Sequence, residues 1–127
     1  MSATADRTRD TVRAYHRARF RGDVPAAART LADRFHFDSP LMASDDAEQH
    51  LAGLDMFVAI VERVEVISEL FADDRATLVY DVHTTIPVVG IQRTAEHFRV
   101  SDGRITDIRL IFDATPWHTV MRAIPQP

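Results

Sequence analysis

Arg93–Val100 reads RTAEHFRV, Ser101-Asp102-Gly103 follows as a turn, and Ile105–Asp113 reads ITDIRLIFD. Side chains alternate between the two faces of a strand. Phe98 and Val100 mark an apolar face on the first segment, and Ile108, Leu110 and Phe112 mark one on the second. Glu96 lies two residues before Phe98, so it shares that apolar face. A carboxylate in an apolar layer is costly unless it is paired, hydrogen-bonded or protonated. Glu96 is therefore the first candidate for a functional group.

The strand pattern extends backward from this hairpin. Ala76–Ile86 alternates until Pro87, and the polar turn Ala72-Asp73-Asp74-Arg75 joins it to a strand at Val66–Phe71. Before Val66 the period is helical. Thr4–Arg21 has no Pro or Gly, and Val12, Tyr15, His16, Arg19 and Phe20 recur on one face. Gly22 ends that helix. Asp23 can cap a second one reaching about Asp33, with Pro25 tolerated in its first turn. Phe35–Ser39 reads as a short strand stopped by Pro40. Asp45 with Glu48 resembles a capping box for a short helix. Gly53 interrupts that helix. A longer one starts at Leu54 or Asp55, with Phe57, Ile60, Val61 and Val64 on one face. After Asp113 the chain is expected to run through Trp117 and His118 into a loose, Pro-rich end. Helices segregated from strands indicate an α+β fold, with helices packed on one face of a curved sheet.

The totals bound the function. The 127 residues suit a single domain, 1–127, with its core at about 10–117. Cysteine is absent, which removes thiolate catalysis, disulfides and Cys-based zinc sites. The net charge of −4 argues against a nucleic-acid partner. No apolar run reaches the roughly 20 residues of a membrane span, and the N-terminus lacks a signal peptide's apolar stretch. The expectation is a cytoplasmic protein with neither a membrane nor a nucleic-acid partner. No Gly-rich phosphate loop, nucleophile elbow or metal-ligand spacing is present, so no cofactor and no metal site is expected.

Tyr15 in the first helix, RGDVPAAARTLADRFHFDSP (Arg21–Pro40), AGLDMF (Ala52–Phe57) and FRVSDGRITDIRLIFD (Phe98–Asp113) follow one another in an order that resembles the nuclear transport factor 2-like superfamily. Within it they resemble the SnoaL-like group, which is similar to ketosteroid isomerases, polyketide cyclases and limonene epoxide hydrolase. The resemblance implies a cone-shaped, curved antiparallel or mixed sheet with three N-terminal helices on one face, a cystatin-like roll enclosing an apolar pocket. It also implies a Tyr on the first helix and a late-strand carboxyl as an oxyanion site, with a carboxylate before a Pro as base. Tyr15 and Glu96 fall at the first two positions. Ser39 falls at the third, and Asp38, one residue early, is expected to face away from the pocket.

The candidate catalytic residues are thus Glu96, Tyr15, His16 and Asp113, the last because the resemblance puts an acid/base Asp near that end of the sheet. Arg19, Ser39, Phe57, Tyr80, Phe98, Phe112 and Trp117 are candidates for lining a ligand pocket, with Trp117 and His118 as a lid. Two readings stay open. One is a small cofactor-independent enzyme of isomerase, cyclase or hydratase type, acting by acid–base catalysis on an apolar, oxygen-bearing molecule. The other is a non-catalytic hydrophobic-ligand binder or dimeric accessory protein, with Glu96 and Arg19 as a buried structural pair. The outward residues of the late strands mix charged with small apolar side chains. There Arg99 and Asp81 could pair and His83 could neighbour His97, and the resemblance implies a homodimer through that face.

Overall fold

The computed structural model describes residues 2–124. Helix α1 (Ala3–Arg21) opens on Ser2, whose hydroxyl accepts the Ala5 N–H at 3.0 Å. It ends at Gly22, whose φ of 75° supplies the left-handed closing residue. Helix α2 (Val24–Arg29) is capped by Asp23, as the sequence predicts. Strand β1 (Leu31–Asp38) and the two-residue β2 (Ala43–Ser44) precede two one-turn helices, α3 (Ala47–Leu51) and α4 (Leu54–Ala59). Strands β3 (Val61–Phe71), β4 (Arg75–Thr84), β5 (Ile91–Ser101) and β6 (Arg104–Ile111) lead to α5 (Thr115–Ala123).

The six strands form one sheet in the order β2-β1-β6-β5-β4-β3. β1 runs parallel to β6 and the other pairs are antiparallel, so the sheet is mixed. Asp102 and Gly103 both have positive φ, at 52° and 75°. That is the backbone a two-residue hairpin turn requires, and it fixes the β5–β6 register that pairs Phe98 with Ile108 and Glu96 with Leu110. Irregular pairings at Val61/Arg63, Val66/Ser68 and Arg99/Val100 bend the sheet. Its concave face packs on α1. Val12, Tyr15 and Ala18 from the helix meet Leu78, Tyr80, Val82, Phe98 and Ile108 in one core. The expected α+β architecture is the observed one.

Several boundaries move. The second helix stops at Arg29 and not near Asp33, because Leu31 pairs with Ile105 and the Thr30 carbonyl accepts the Ile105 N–H. Ile60–Val64 does not continue a helix. β3 already starts at Val61, where β-branched residues pair along the length of β4, and that ladder overrides the helical spacing. The helix starting at Leu54 is therefore a single turn, while the break before it falls at Gly53 as expected, with φ 81°. Asp46, and not Asp45, caps α3. Residues after Asp113 form a helix, because Pro116 sits in its first turn, where no N–H is needed. The Pro-rich end beyond Ile124 lies outside the described residues. No described helix is long and apolar enough to cross a membrane.

Candidate active site

Between the concave face of the sheet and helices α1, α3, α4 and α5 lies a cavity of 220 Å³. Its wall is mostly apolar, with Phe37, Leu54, Phe57, Leu110 and Phe112 among its residues. Its polar side chains are Arg19, Ser39, His50, Tyr80, Gln92 and Trp117.

Glu96 is buried, with 1% of its surface exposed, as strand parity requires. Its Oε1 accepts the Tyr80 hydroxyl proton at 2.7 Å, while its Oε2 is buried without a partner. Burial pushes the carboxyl above its ordinary pKa, against the opposing pull of the Arg19 charge and the Tyr80 hydrogen bond. Glu96 does not reach the cavity wall. Tyr80 stands between it and the cavity, and burial first and the Glu96 charge second keep that phenol protonated.

Tyr15 is also behind the wall. Its hydroxyl lies 2.8 Å from Nε2 of His50, which does line the cavity. The His50 ring packs against Phe37 with centroids 4.2 Å apart and against Phe35 at 5.2 Å. Burial, and then the charge of Arg19, pushes His50 down to about 3, so it is a neutral imidazole at physiological pH. Burial likewise raises the Tyr15 phenol. The sequence reading missed His50. The only signal was a histidine in the last turn of a five-residue helix, too short to show a face. Gln92, also missed, was legible, since it shares the parity of Thr94, Glu96 and Phe98.

Arg19 lines the cavity, half-buried. Its guanidinium carbon lies 4.8 Å from the Phe57 ring centroid and 4.9 Å from that of Phe20. It makes no salt bridge within 4.0 Å among the described residues, although its charge acts on both Tyr80 and Glu96. His16 stacks edge-on to Tyr80 at 4.9 Å and does not line the cavity. Its Nδ1 is buried without a partner, and burial followed by the Arg19 charge pushes it down to about 4.

Ser39, Phe57, Phe112 and Trp117 line the cavity as expected. The Ser39 hydroxyl is engaged in a turn, accepting the N–H groups of Leu41 and Met42 at 3.2 and 3.1 Å. Asp38 faces the other way, its Oδ2 3.5 Å from Nε of Arg109. Trp117 donates its indole N–H to Gln92 at 2.6 Å, which holds α5 at the cavity.

Four expectations are corrected. Phe98 is fully buried under Tyr15, with rings 5.9 Å apart, and belongs to the core instead of the cavity wall. Asp113 is exposed, and its Oδ1 accepts the Thr115 N–H at 3.0 Å, so the chain uses it to open α5. That hydrogen bond lowers its carboxyl pKa. On the outer face Asp81 pairs with Arg93 through two bonds of 2.9 Å, leaving Arg99 elsewhere. His83 is opposite Ile91 and His97 opposite Thr77, so the two histidines are not neighbours. Among the described residues no cluster of three or more His, Cys, Asp or Glu side chains could hold a metal.

No family model matches the sequence, and no curated protein does either. Solved structures do. A protein from Kribbella flavida is 36% identical over 90% of this chain and 93% of its own, with a TM-score of 0.79. A nuclear transport factor 2-like protein of unknown function from Cytophaga hutchinsonii is 19% identical, covering 87% of this chain and 94% of its own, with a TM-score of 0.71. A candidate polyketide cyclase from Xanthomonas campestris is 20% identical, covering 91% and 96%, also with a TM-score of 0.71.

Proposed function

We propose that this chain, which has the fold of nuclear transport factor 2-like proteins, is a SnoaL-like acid–base enzyme acting on a small, apolar, oxygen-bearing molecule. The observation that carries this reading is the Tyr80–Glu96 hydrogen bond, in which a cavity-wall phenol is backed by a buried carboxyl group. With Glu96 protonated, the Tyr80–Glu96 hydrogen bond reverses: the Tyr80 hydroxyl turns to give its proton to a substrate oxygen as the carboxyl gives its own to the Tyr80 oxygen. Glu96 is left as a carboxylate near Arg19, whose charge stabilises it. The reverse sequence removes a proton. His50, held neutral and oriented by Tyr15, offers a hydrogen bond to the same substrate. Tyr80, His50 and Arg19 are the contacting groups in this scheme, and Glu96 and Tyr15 act through them. Isomerisation, cyclisation and hydration all use such a transfer.

Cavity volume gives a scale for the substrate. An apolar cavity of about 150 Å³ holds benzene, so 220 Å³ accommodates one ring with a short substituent. The test is hydrogen–deuterium exchange beside the carbonyl of small ring ketones, with and without an acidic substituent, followed by NMR. Tyr80→Phe and Glu96→Gln should each slow exchange at least about a hundredfold, and Glu96→Asp should restore part of it with a shifted pH profile. Wild-type exchange no faster than buffer would favour a binding module. That second reading draws on one observation: Glu96, Tyr15, His16 and Asp113 all stand off the cavity wall.

Pairing of two copies through the outer sheet face completes the proposal. Val79, Ala95 and Ile111 lie in consecutive registers there, and Ile111 is 55% exposed. Sedimentation of Ile111→Glu against wild type tests it, with a monomeric wild type refuting it.

A further inference from the structure

We propose that the ligand of this cavity is an apolar monoanion whose carboxylate sits on Arg19. The inference deepens the acid–base reading and rests on it. Among the described residues of the cavity wall, Arg19 is the one with a permanent charge, and no Asp or Glu lines the wall. The chain as a whole is acidic, at −4, so this local cation runs against the overall balance. A guanidinium left without a salt bridge in an apolar site is costly. Here two aromatic rings flank it, at 4.8 and 4.9 Å, and no carboxylate lies within 4.0 Å.

Glu96, the acid nearest in effect, does not take that role. Its Oε1 is engaged by Tyr80 and its Oε2 is buried without a partner. Burial disfavours its charged form, so it is a weak counter-ion for Arg19. The planar fork of a guanidinium matches a carboxylate in two parallel hydrogen bonds, which selects a carboxylate over a spherical anion. The rest of the wall, Leu54, Phe57, Leu110 and Phe112, suits an unsaturated or aliphatic ring. Ring plus carboxylate fits 220 Å³.

Trp117 is the single tryptophan and lines the cavity, so its fluorescence reports occupancy. Benzoate and phenylacetate are titrated at pH 7 against their neutral counterparts benzamide and benzyl alcohol. The carboxylates should bind at least about tenfold tighter than the neutral pair. Arg19→Gln should bring benzoate down to the benzamide level and leave benzamide unchanged. Equal affinities in the wild type overturn the inference, as does failure of all four compounds to bind at millimolar concentration. Benzoate binding that survives Arg19→Gln overturns it too. If that variant does not fold, the wild-type ratio decides alone, because it needs no substitution. The measurement is an equilibrium one, so its failure is separable from that of the catalytic reading. Carboxylate preference with no ketone exchange sinks the enzyme and keeps the anion site. Exchange lost in Tyr80→Phe without carboxylate preference does the opposite.

Discussion

The Tyr15 hydroxyl sits 2.8 Å from Nε2 of His50, and this contact ties the first helix to the cavity wall. Tyr15 itself has no surface exposed. A residue expected to touch a ligand instead holds one that does. Glu96 stands in the same relation to Tyr80. The cavity thus has two polar wall groups, each backed by a buried partner.

Tyr15→Phe removes the partner of a buried imidazole nitrogen and leaves the ring packing in place. The variant should lose about 1–3 kcal/mol in urea unfolding. The His50 ring resonances should also shift in NMR spectra. Unchanged stability together with unchanged resonances would mean that the pair is idle.

The Glu96 carboxyl is raised in the folded state by burial. Its favourable contribution to stability is full below the ordinary carboxyl range and is lost as pH rises through the raised value. Gln carries no such titration and can still accept the Tyr80 hydroxyl proton. The melting temperature of Glu96→Gln relative to wild type should therefore rise as pH climbs above the ordinary carboxyl range. A difference that is flat with pH would show that Glu96 titrates normally.

His50 and His16 act on the other limb. Both are pushed down, to about 3 and about 4, chiefly by burial. Unfolded histidines titrate near 6.5, so below that value the unfolded chain binds protons that the folded one refuses. Stability should be full above about pH 6.5 and fall as pH drops through about 4 toward about 3. His16→Leu should make the acid limb of a Tm–pH curve shallower, and an unchanged slope would rule out His16 as a contributor.

The reassigned aromatic and acidic residues separate stability from binding. Phe98→Ala should cost about 3–5 kcal/mol, as a large core deletion does. Asp113→Ala should cost about 1 kcal/mol, as the loss of a helix-opening acceptor does, with ligand affinity unchanged. Phe112→Ala should instead alter affinity, since Phe112 is half-buried in the cavity wall. Calorimetric melts and the Trp117 titration read both effects.

Helix α5 buries no residue and is held at the cavity through the Trp117–Gln92 hydrogen bond. Gln92→Ala should red-shift Trp117 emission and speed proteolysis within residues 115–123, with little change in the global melt. Emission identical to wild type would show that the latch is unimportant.

Strand parity and turn chemistry are legible in the sequence alone. The inward set of β5 follows from alternation alone, and the Asp102-Gly103 turn pins its register to β6. The same parity sent Asp38 outward and left Ser39 at the cavity. The ends of α2 and α4 and the presence of α5 differ from the sequence reading because strand pairing and helix opening outweigh the local period there. His50 was invisible because five residues of helix do not define a face.

By itself, then, the sequence determined which face each side chain takes, and with that the fold and the burial of Glu96. Those are local properties of backbone geometry and hydrophobic period. Tertiary structure alone decided which inward residues meet the cavity and which meet core. That boundary is drawn where α1, α3, α4 and α5 close over the sheet. It puts Tyr80, Arg19 and His50 on the wall, keeps Glu96 and Tyr15 one hydrogen bond behind it, and buries Phe98 beneath Tyr15.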